Sequence, residues 1–428
     1  MARVLFTNVR IIDGCDPAPF AGEVMVEGEK IAAVARDGRL KRAGAEVVEG
    51  GGRTLMPGLV EGHAHLSFIG FQDLYDSVRL PVEEHLLATI EAARLLLDHG
   101  FTSCFSAASA KPRLDVVVRD AIAAGRIPGP RLLAATQEMT PSGNLGDLDN
   151  RELTLPATMR FAVTCNSPDA FREACRLAAR DGVDTFKINV SGDRGFEPWG
   201  AGTESTVMTD EEMAAIVQVA KARGKRVAAH AASAGSVKMC LRHGVAVIYH
   251  AAICDEEALD GLEAARDWVF VAPTVGFPYT LLHEAERHGV RHDETTRRRL
   301  DRELESIVRG ATEMHRHGIR VVPGGDYGLF CNPQGRNARD LEHFVTLLGF
   351  SPMEAIVAGT RHGGELMGDP DGIGQIRPGY LADLLLVDGD PLADIAILQD
   401  GGKLSAIMKG GAFHKRPPSA TAQRRAAE

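Results

Sequence analysis

The chain has 428 residues, of which 44% are hydrophobic and 25% are charged, and its formal net charge is −10 at pH 7. This length predicts one large α/β barrel with an accessory domain, or two to three ordinary domains. The acidic balance argues against nucleic acid or an anionic membrane surface as a partner.

The N-terminus and the cysteines predict a cytoplasmic protein. The first ten residues lack the apolar run of a secretory signal, and no stretch approaches the roughly 18 apolar residues of a membrane span. The seven cysteines are scattered and include no C-x-x-C pair. This usage is typical of reduced thiols rather than of a disulfide framework or a thiolate zinc site.

The hydrophobic pattern changes twice along the chain. Residues 1–56 and 369–414 contain short β-type runs separated by glycine-containing turns, which predicts one small β-sandwich domain built from both chain ends. Residues 57–368 alternate between eight strand-like runs and helical stretches, which predicts a (β/α)8 barrel. Residues 415–428 are polar and rich in alanine, which predicts a disordered tail. The predicted fold class is therefore α/β.

Local signals place several elements within the barrel segment. A strong amphipathic pattern predicts a helix over 82–99. The capping pairs Thr209 with Glu212 and Ser351 with Glu354 predict two helix starts, the second for a helix over 351–367. The polar segments 137–160 and 191–206 are long enough to be binding loops or lids.

A histidine pair follows the first predicted barrel strand. A Pro57-Gly58 turn leads into a short extended run that ends in His63-Ala64-His65. Residues two apart in a strand point to the same side, and imidazole is the commonest protein ligand for divalent metals. With 15 histidines in the chain, the pair alone is a weak signal.

Further ligand-type residues lie at the ends of later predicted strands. They are Lys187 on the fourth strand, His230 on the fifth, His250 on the sixth and Asp326 just past the eighth. Each alone has an ordinary structural explanation, such as a core histidine or a turn carboxylate. Because the carboxyl ends of barrel strands share one rim, the set together predicts a single metal site.

Six segments carry a family resemblance. They are 57–65, Phe186-Lys187-Ile188, Ala228-Ala229-His230-Ala231, Tyr249-His250, Gly324-Gly325-Asp326 and 374–388. The set resembles the amidohydrolase superfamily, in the branch of imidazolonepropionase and the prolidase-like dipeptidases, from about residue 4 to about residue 411. Such motifs are specific for the superfamily and much less so for the substrate.

The resemblance implies a binuclear metal centre and hydrolysis of an amide-type C–N bond. It assigns one metal to His63, His65 and Asp326, a second to His230 and His250, and a CO2-derived carbamate on Lys187 as the bridge. Zn fits this mixed ligand set, with Co, Mn or Fe as further options. Asp326 and His250 are the expected catalytic residues, with Asp326 passing a proton from the attacking water to the leaving amine.

One competing arrangement stays open. Some superfamily members bind a single metal through the two first-strand histidines, one later histidine and the aspartate. Lys187 would then be an ordinary side chain, and His250 would hydrogen-bond the substrate.

The specificity segments depart from the dipeptidase pattern. No Tyr follows His230 closely, and Asn144 stands where relatives often have His. The segments around Tyr327 and Arg336 resemble bacterial hydrolases of phenylureas, carbamates and thiocarbamates. We therefore expect an uncharged or weakly polar amide, urea or carbamate, with Asn144, Tyr279, Tyr327 and Arg336 as substrate contacts. Further candidate pocket walls are Phe68, Trp199 and Phe277.

Three alternatives remain: a prolidase-like dipeptidase acting on Xaa-Pro or Xaa-Arg, a hydrolase of a cyclic amide or ester, and a non-catalytic assembly protein that keeps the barrel. The last class usually loses metal ligands, whereas this chain retains all six candidates. The resemblance also implies a homo-oligomer that acts on a small molecule.

Overall fold

The computed structural model describes residues 2–72, 74–149, 154–156, 159–193 and 201–417. The strands are β1 (Arg3–Ile11), β2 (Phe20–Glu27), β3 (Lys30–Arg36), β4 (Glu46–Glu49), β5 (Thr54–Pro57), β6 (Leu59–Ala64), β7 (Phe101–Ser106), β8 (Arg131–Leu133), β9 (Glu138–Thr140), β10 (Ala162–Thr164), β11 (Thr185–Asn189), β12 (Arg226–Ser233), β13 (Val247–Ile253), β14 (Phe270–Ala272), β15 (Arg320–Val321), β16 (Leu384–Val387), β17 (Leu404–Lys409) and β18 (Ala412–Lys415).

The helices follow the strands of the central segment. They are α1 (Leu74–Arg79), α2 (Val82–Asp98), α3 (Leu114–Ala123), α4 (Pro168–Asp181), α5 (Asp210–Arg223), α6 (Ala234–His243), α7 (Glu256–Ala264), α8 (Gly276–His283), α9 (Glu294–Arg316), α10 (Arg339–Thr346), α11 (Pro352–Gly359) and α12 (Arg361–Met367). Short 3-10 helices cover Ala285–His288 and Ile395–Gln399.

Eight parallel strands close into the predicted barrel. Strands β6, β7 and β8 form one run, and β11 to β15 form the other within a sheet that also includes β9 and β10. The runs meet where Ala135 bridges Thr185, and again where the amide of Gly62 donates to the carbonyl of Pro323 at 3.0 Å. Helices pack outside these strands, so the predicted α/β barrel is confirmed.

Both chain ends contribute to a second sheet. Its eight strands include β1 to β5 from the N-terminal part and β16 to β18 from the C-terminal part. Antiparallel pairing of β5 with β16 joins the two parts. The apolar side chains of this sheet form their own core, which includes Phe6, Val24, Leu386 and Met408. Strand β5 of this sheet ends at Pro57, two residues before β6 begins. The sheet therefore anchors the barrel strand that leads to the histidine pair.

Two predicted elements differ in the structure. The helix expected over 351–367 is divided at Thr360 into α11 and α12. The Thr360 hydroxyl donates to the Ile356 carbonyl at 2.6 Å, a bond to the preceding turn that bends helices, and glycines on either side weaken the helix further. The expected loop over 137–160 begins with strand β9, which pairs with β10 and β11.

The C-terminal boundary also shifts. Lys415, the first residue of the predicted tail, belongs to strand β18 because its backbone pairs with Ile407 of β17. Its ammonium also donates to the Gly401 carbonyl at 2.8 Å. Residues 418–428 of the predicted tail lie outside the described residues. No helix in the described part of the chain is both long and apolar enough to cross a bilayer.

Candidate metal centre

The barrel brings all six predicted ligand side chains to one cavity. His63 lies at the end of β6 and His65 follows it, and the other four come from β11, β12, β13 and the segment after β15. The cavity encloses about 390 Å³, part of it open to solvent. Its polar lining consists of His63, His65, Glu138, Lys187, Asp193, His230, His250 and Asp326.

His63, His250 and Asp326 form a potential ligand group, because their ligand atoms lie within 4.8 Å of one another. The Asp326 Oδ1 atom is 2.9 Å from His65 Nε2 and 3.5 Å from His63 Nε2. Four imidazoles also lie side by side, with ring centroids of His230 and His250 4.3 Å apart. The barrel rim therefore concentrates nitrogen and oxygen donors in one small volume.

Hydrogen bonds orient the two first-strand imidazoles. His65 Nδ1 donates to the carbonyl of Ala108 at 3.4 Å. His63 Nδ1 lies 3.2 Å from the hydroxyl of Thr274, which itself donates to the carbonyl of Ala272. His63 Nδ1 is therefore the donor in this contact, and its Nε2 faces the cavity as an acceptor. In metal-binding histidines, a hydrogen bond donated by the ring nitrogen that does not bind the metal fixes the tautomer.

This donor set fits a cation. Burial holds the pKa of His63 well below its usual range, so the ring is neutral and its Nε2 carries a lone pair. That atom is buried and has no hydrogen-bond partner among the described residues. It faces the carboxylate of Asp326, whose buried Oδ1 lies 3.5 Å away. Acceptor atoms directed at one another are the arrangement that a divalent cation stabilises.

Lys187 is positioned for a role other than that of a surface lysine. Its side chain is buried, and burial lowers its pKa against the opposing effect of Glu138 and Asp326. The ammonium nitrogen lies 3.8 Å from Glu138 Oε1 and 4.9 Å above the ring of Tyr249. A buried lysine with a lowered pKa has a larger neutral fraction, which is the nucleophilic form of an amine.

The backbone is strained where the ligands emerge. His250, Ala251, Thr274 and Asp326 all have positive φ, with 74° at His250 and 64° at Asp326. Left-handed conformations of non-glycine residues are costly and cluster at functional sites. Gly324 permits the close approach of this segment to the first strand, since a Cβ there would lie 2.6 Å from the Cβ of His63.

Two carboxylates of the cavity were not predicted from the sequence. Glu138 begins the short strand β9 inside the segment that we expected to be a loop, and Asn189 donates to its Oε2 at 2.9 Å. Asp193 lies in the other long polar segment and lines the same cavity. No local pattern in the sequence marks either residue as part of the site.

The four residues predicted to contact substrate do not line the site cavity. Asn144 is buried and donates to Thr140 at 3.1 Å, in a network behind the cavity wall. The hydroxyl of Tyr327 donates to Asp340 at 2.9 Å, which directs the ring away from the cavity. Neither residue is among the cavity lining.

The other two predicted contacts, Tyr279 and Arg336, lie near the carboxylate of Glu284, outside the site cavity. Arg336 donates to Glu284 at 3.1 Å, and Arg339 donates to the other oxygen of the same carboxylate. The guanidinium of Arg339 stacks 5.1 Å from the ring centroid of Tyr279. A buried carboxylate therefore engages Arg336, and neither Tyr279 nor Arg336 lines the site cavity. Among the other candidate walls, Phe68 lines the site cavity, Phe277 lines an adjoining one, and Trp199 lies outside the described residues.

This carboxylate makes a pH-dependent contribution to stability. Hydrogen bonds from Arg339, and then Arg336, lower the pKa of Glu284 from 4.5 to about 2 despite its burial. We expect Glu284→Gln to lower the free energy of unfolding by about 1–3 kcal/mol at pH 7. Because the folded pKa is depressed, the stabilisation is complete above pH 4.5 and disappears as the pH falls towards 2.

Urea unfolding between pH 7 and pH 3 measures this contribution. Glu286→Gln is the matched control, since its exposed carboxylate pairs only loosely with Arg297 at 3.4 Å. We expect the control to change stability by less than about 0.5 kcal/mol. An effect of Glu284→Gln that is equal at all pH values would contradict the ion-pair explanation.

The comparisons with known proteins agree with the geometry of the cavity. The family model described as "Amidohydrolase family" matches residues 54–413. This chain belongs to the amidohydrolase family. The match spans the barrel, strand β5 and most of the C-terminal strands, so all six predicted ligands fall within it.

Individual relatives support membership over most of the chain. Ochratoxinase of Aspergillus niger is 25% identical over 387 residues, covering 85% of this chain and 76% of the relative. Imidazolonepropionase of Anaeromyxobacter dehalogenans is 24% identical over 444 residues, covering 96% of each. A crystal structure of an amidohydrolase superposes with a TM-score of 0.84 at 26% identity, covering 98% of this chain and 100% of the other.

Hydrolases of the class expected from the sequence share the fold. Phenylurea hydrolase B superposes with a TM-score of 0.73 at 23% identity, with 97% of both chains covered. At this identity the likeness shows the fold alone. The predicted superfamily is confirmed, and membership indicates a hydrolase that has a potential metal-binding His/His/Asp group.

Proposed function

We propose that this protein is a metal-dependent hydrolase that cleaves the C–N bond of an amide, carbamate or urea. One observation carries the proposal: the buried, unpartnered Nε2 of His63 faces the carboxylate of Asp326 at 3.5 Å. Neutral imidazole nitrogen and carboxylate oxygen in contact form an incomplete coordination sphere. Family membership indicates hydrolysis as the reaction.

We assign two divalent cations to the site, with Zn as the first choice and Co, Mn or Fe as alternatives. His63, His65 and Asp326 would hold one, and His230 and His250 the other. The bound cations would supply a water of lowered pKa and polarise the substrate carbonyl. Burial favours neutral rings for His63 and His250, as ligation requires.

Lys187 is proposed to bridge the two positions as a carbamate. Its neutral amine forms an N–C bond with CO2 and loses one proton, which yields an anion with two oxygen donors. The same side chain as an ammonium would repel two dications, so carbamate formation resolves the conflict of charge. Glu138, 3.8 Å away, is suited to accept the released proton or to hold the amine in place.

Asp326 is proposed to move the proton of the reaction. Its carboxylate lies beside His63, His65 and His250, with Oδ1 2.9 Å from His65 Nε2 and 3.5 Å from His63 Nε2. In this position it can accept a proton from the attacking water and donate it to the leaving nitrogen. His250 would support this step by placing its ring beside both the carboxylate and the substrate.

Among the described residues, the lining of the site cavity includes no arginine that could bind a dipeptide carboxylate. Arg336 and Arg339 are already paired with Glu284, and the segment after His230 supplies Ala231 and Ala232 rather than a phenol. These observations favour the amide, carbamate and urea class over the dipeptidase alternative. The retained set of six potential ligands favours an enzyme over an assembly protein.

Metal analysis combined with a substrate panel tests the proposal. We expect about two equivalents of metal in the replete protein, and hydrolysis of 4-nitroacetanilide, phenylurea or a phenylcarbamate that stops on treatment with 1,10-phenanthroline and returns with added Zn. One equivalent would support the single-metal arrangement. Faster turnover of Xaa-Pro or Xaa-Arg dipeptides, of a lactam or of an ester would identify the corresponding alternative. Metal-replete protein inactive on the whole panel would refute a hydrolytic role.

A further inference from the structure

A second cavity adjoins the metal site. We call it the outer lobe, and it encloses about 1040 Å³, part of it open to solvent. Asp193, His250 and Asp326 line both the outer lobe and the site cavity, so the two spaces meet at the proposed reacting groups. A substituent bonded to the scissile group can therefore extend from Asp326 into the outer lobe.

The outer lobe has mainly apolar walls. The apolar side chains come from α8, α9 and the segments beside them: Phe277, Pro278, Leu281, Val290, Leu300, Ile307 and Phe330. Ligand pockets of this size and composition bury most of the surface of a small organic molecule. Each buried CH2 group contributes about 0.8 kcal/mol to binding, which is a factor of about four in affinity.

Two charged side chains lie at one edge of this lobe. Arg299 and Glu303 are four residues apart on α9, and both also line a neighbouring groove that includes Arg302, Glu305 and Arg309. They therefore mark the boundary between lobe and groove, and their charges are of opposite sign. Asp193 and Asp326 are at the other end, beside the metal ligands. The remaining polar lining consists of Gln72, Thr274 and His292, whose Nε2 donates to the Leu281 carbonyl at 3.1 Å. The apolar side chains of the lobe offer no compensation for a charge on a ligand.

The site cavity provides a smaller apolar space on the ligand side. Its apolar lining consists of Phe68, Leu74, Leu145, Phe161 and Leu329. Phe68 stacks on the imidazole of His65 with ring centroids 3.8 Å apart, which holds that wall in place. Asp326 thus lies between a small apolar space and a large one.

We propose that the substrate is a neutral amide, urea or carbamate with a bulky uncharged aromatic or branched aliphatic substituent that occupies the outer lobe, a proposal that rests on the proposed function. Leu281, on α8, is a specificity-determining wall of this lobe. The smaller substituent of the scissile group lies in the site cavity. This assignment follows from where the apolar side chains and the boundary charges lie.

Calorimetry with non-hydrolysable ketones tests the lobe without depending on turnover. The metal-replete protein is titrated with butan-2-one, with 4-phenylbutan-2-one, and with the latter bearing a para carboxylate or a para aminomethyl group. We expect 4-phenylbutan-2-one to bind at least about 10-fold more tightly than butan-2-one, because one phenyl ring is buried. Either charged derivative is expected to lose most of that gain.

Variants on α8 locate the binding. Leu281→Trp narrows the lobe beside the metal site and is expected to abolish the preference for the phenyl ketone, while Leu281→Ala reduces it several-fold. Leu282→Ala is the matched control, since Leu282 is the next residue, is also partly buried and packs against the barrel core instead of lining the lobe. We expect the control to bind all four ketones as the parent does.

The outcomes separate this proposal from the function on which it rests. Equal binding of butan-2-one and 4-phenylbutan-2-one, tighter binding of a charged derivative, or equal effects of the Leu281 and Leu282 variants would overturn the assignment of the lobe. Hydrolysis of small amides would be unaffected by such a result. Selective ketone binding by a protein that hydrolyses no C–N substrate would instead refute only the hydrolytic function.

Discussion

Replacement of Asp326 by Asn is expected to retain most of the bound metal and to lower kcat by about 10²–10⁴-fold. The amide has the shape of the carboxylate and keeps an oxygen near His63 and His65. It cannot accept a proton from water, and it cannot donate one to a leaving nitrogen as a carboxylic acid does. Metal content by mass spectrometry and steady-state kinetics on the best substrate of the panel measure the two effects separately.

Three results decide the interpretation of Asp326→Asn. Loss of both metal and activity would indicate that the carboxylate acts chiefly as a ligand. Parent-like turnover would show that the proton-transfer role is wrong. A thermal unfolding midpoint close to that of the parent protein is needed to exclude a general effect, because this segment is strained, with φ of 64° at Asp326.

Replacement of Lys187 by Met is expected to reduce the metal content from about two equivalents to about one and to lower kcat/KM at least ~100-fold. Met fills a similar volume but cannot form a carbamate, so the second cation loses an anionic bridge. His63, His65 and Asp326 remain to hold the first cation. Metal analysis after dialysis against Zn, with and without added bicarbonate, measures the change.

Lys111→Met provides the matched control for Lys187→Met. Lys111 is also a buried lysine near the barrel rim, but its ammonium donates to the carbonyl of Leu80 and does not line the site cavity. We expect the control to keep two equivalents of metal and near-parent activity. Two tightly bound metals in Lys187→Met would instead exclude the bridging role and leave His230 and His250 sufficient for the second ion.

The arrangement of the site explains why a barrel rim suits this chemistry. The proposed ligands come from five different parts of the chain, and Lys187, His230 and His250 are held by the backbone pairing of their own strands. Tyr249 stacks on His63 with ring centroids 3.8 Å apart and also lies beneath Lys187, so one buried ring supports two proposed ligands. The positions of the donor atoms are therefore set by packed core residues.

Much of the fold and the set of potential ligands could be predicted from the sequence. Alternating strand and helix patterns are local signals, and eight repeats in parallel order leave few closed arrangements. The ligand-type residues sit in short motifs at strand ends, where geometry directs them to one rim. Helix starts such as Thr209 with Glu212 were predicted because capping involves residues only three positions apart.

The surroundings of the site depended on the tertiary structure. Arg336 and Tyr327, which the sequence suggested as substrate contacts, donate hydrogen bonds to Glu284 and Asp340, 52 and 13 residues away in sequence. Glu138 and Asp193 line the cavity, but they come from segments without a clear helical or strand pattern of hydrophobic residues. The outer lobe forms only where α8 and α9 fold over the strand ends. The sequence by itself determined the barrel and the set of candidate ligand residues, because both follow from local spacing. The partners of side chains in the loops depend on contacts between distant parts of the chain, so only the tertiary structure decides them.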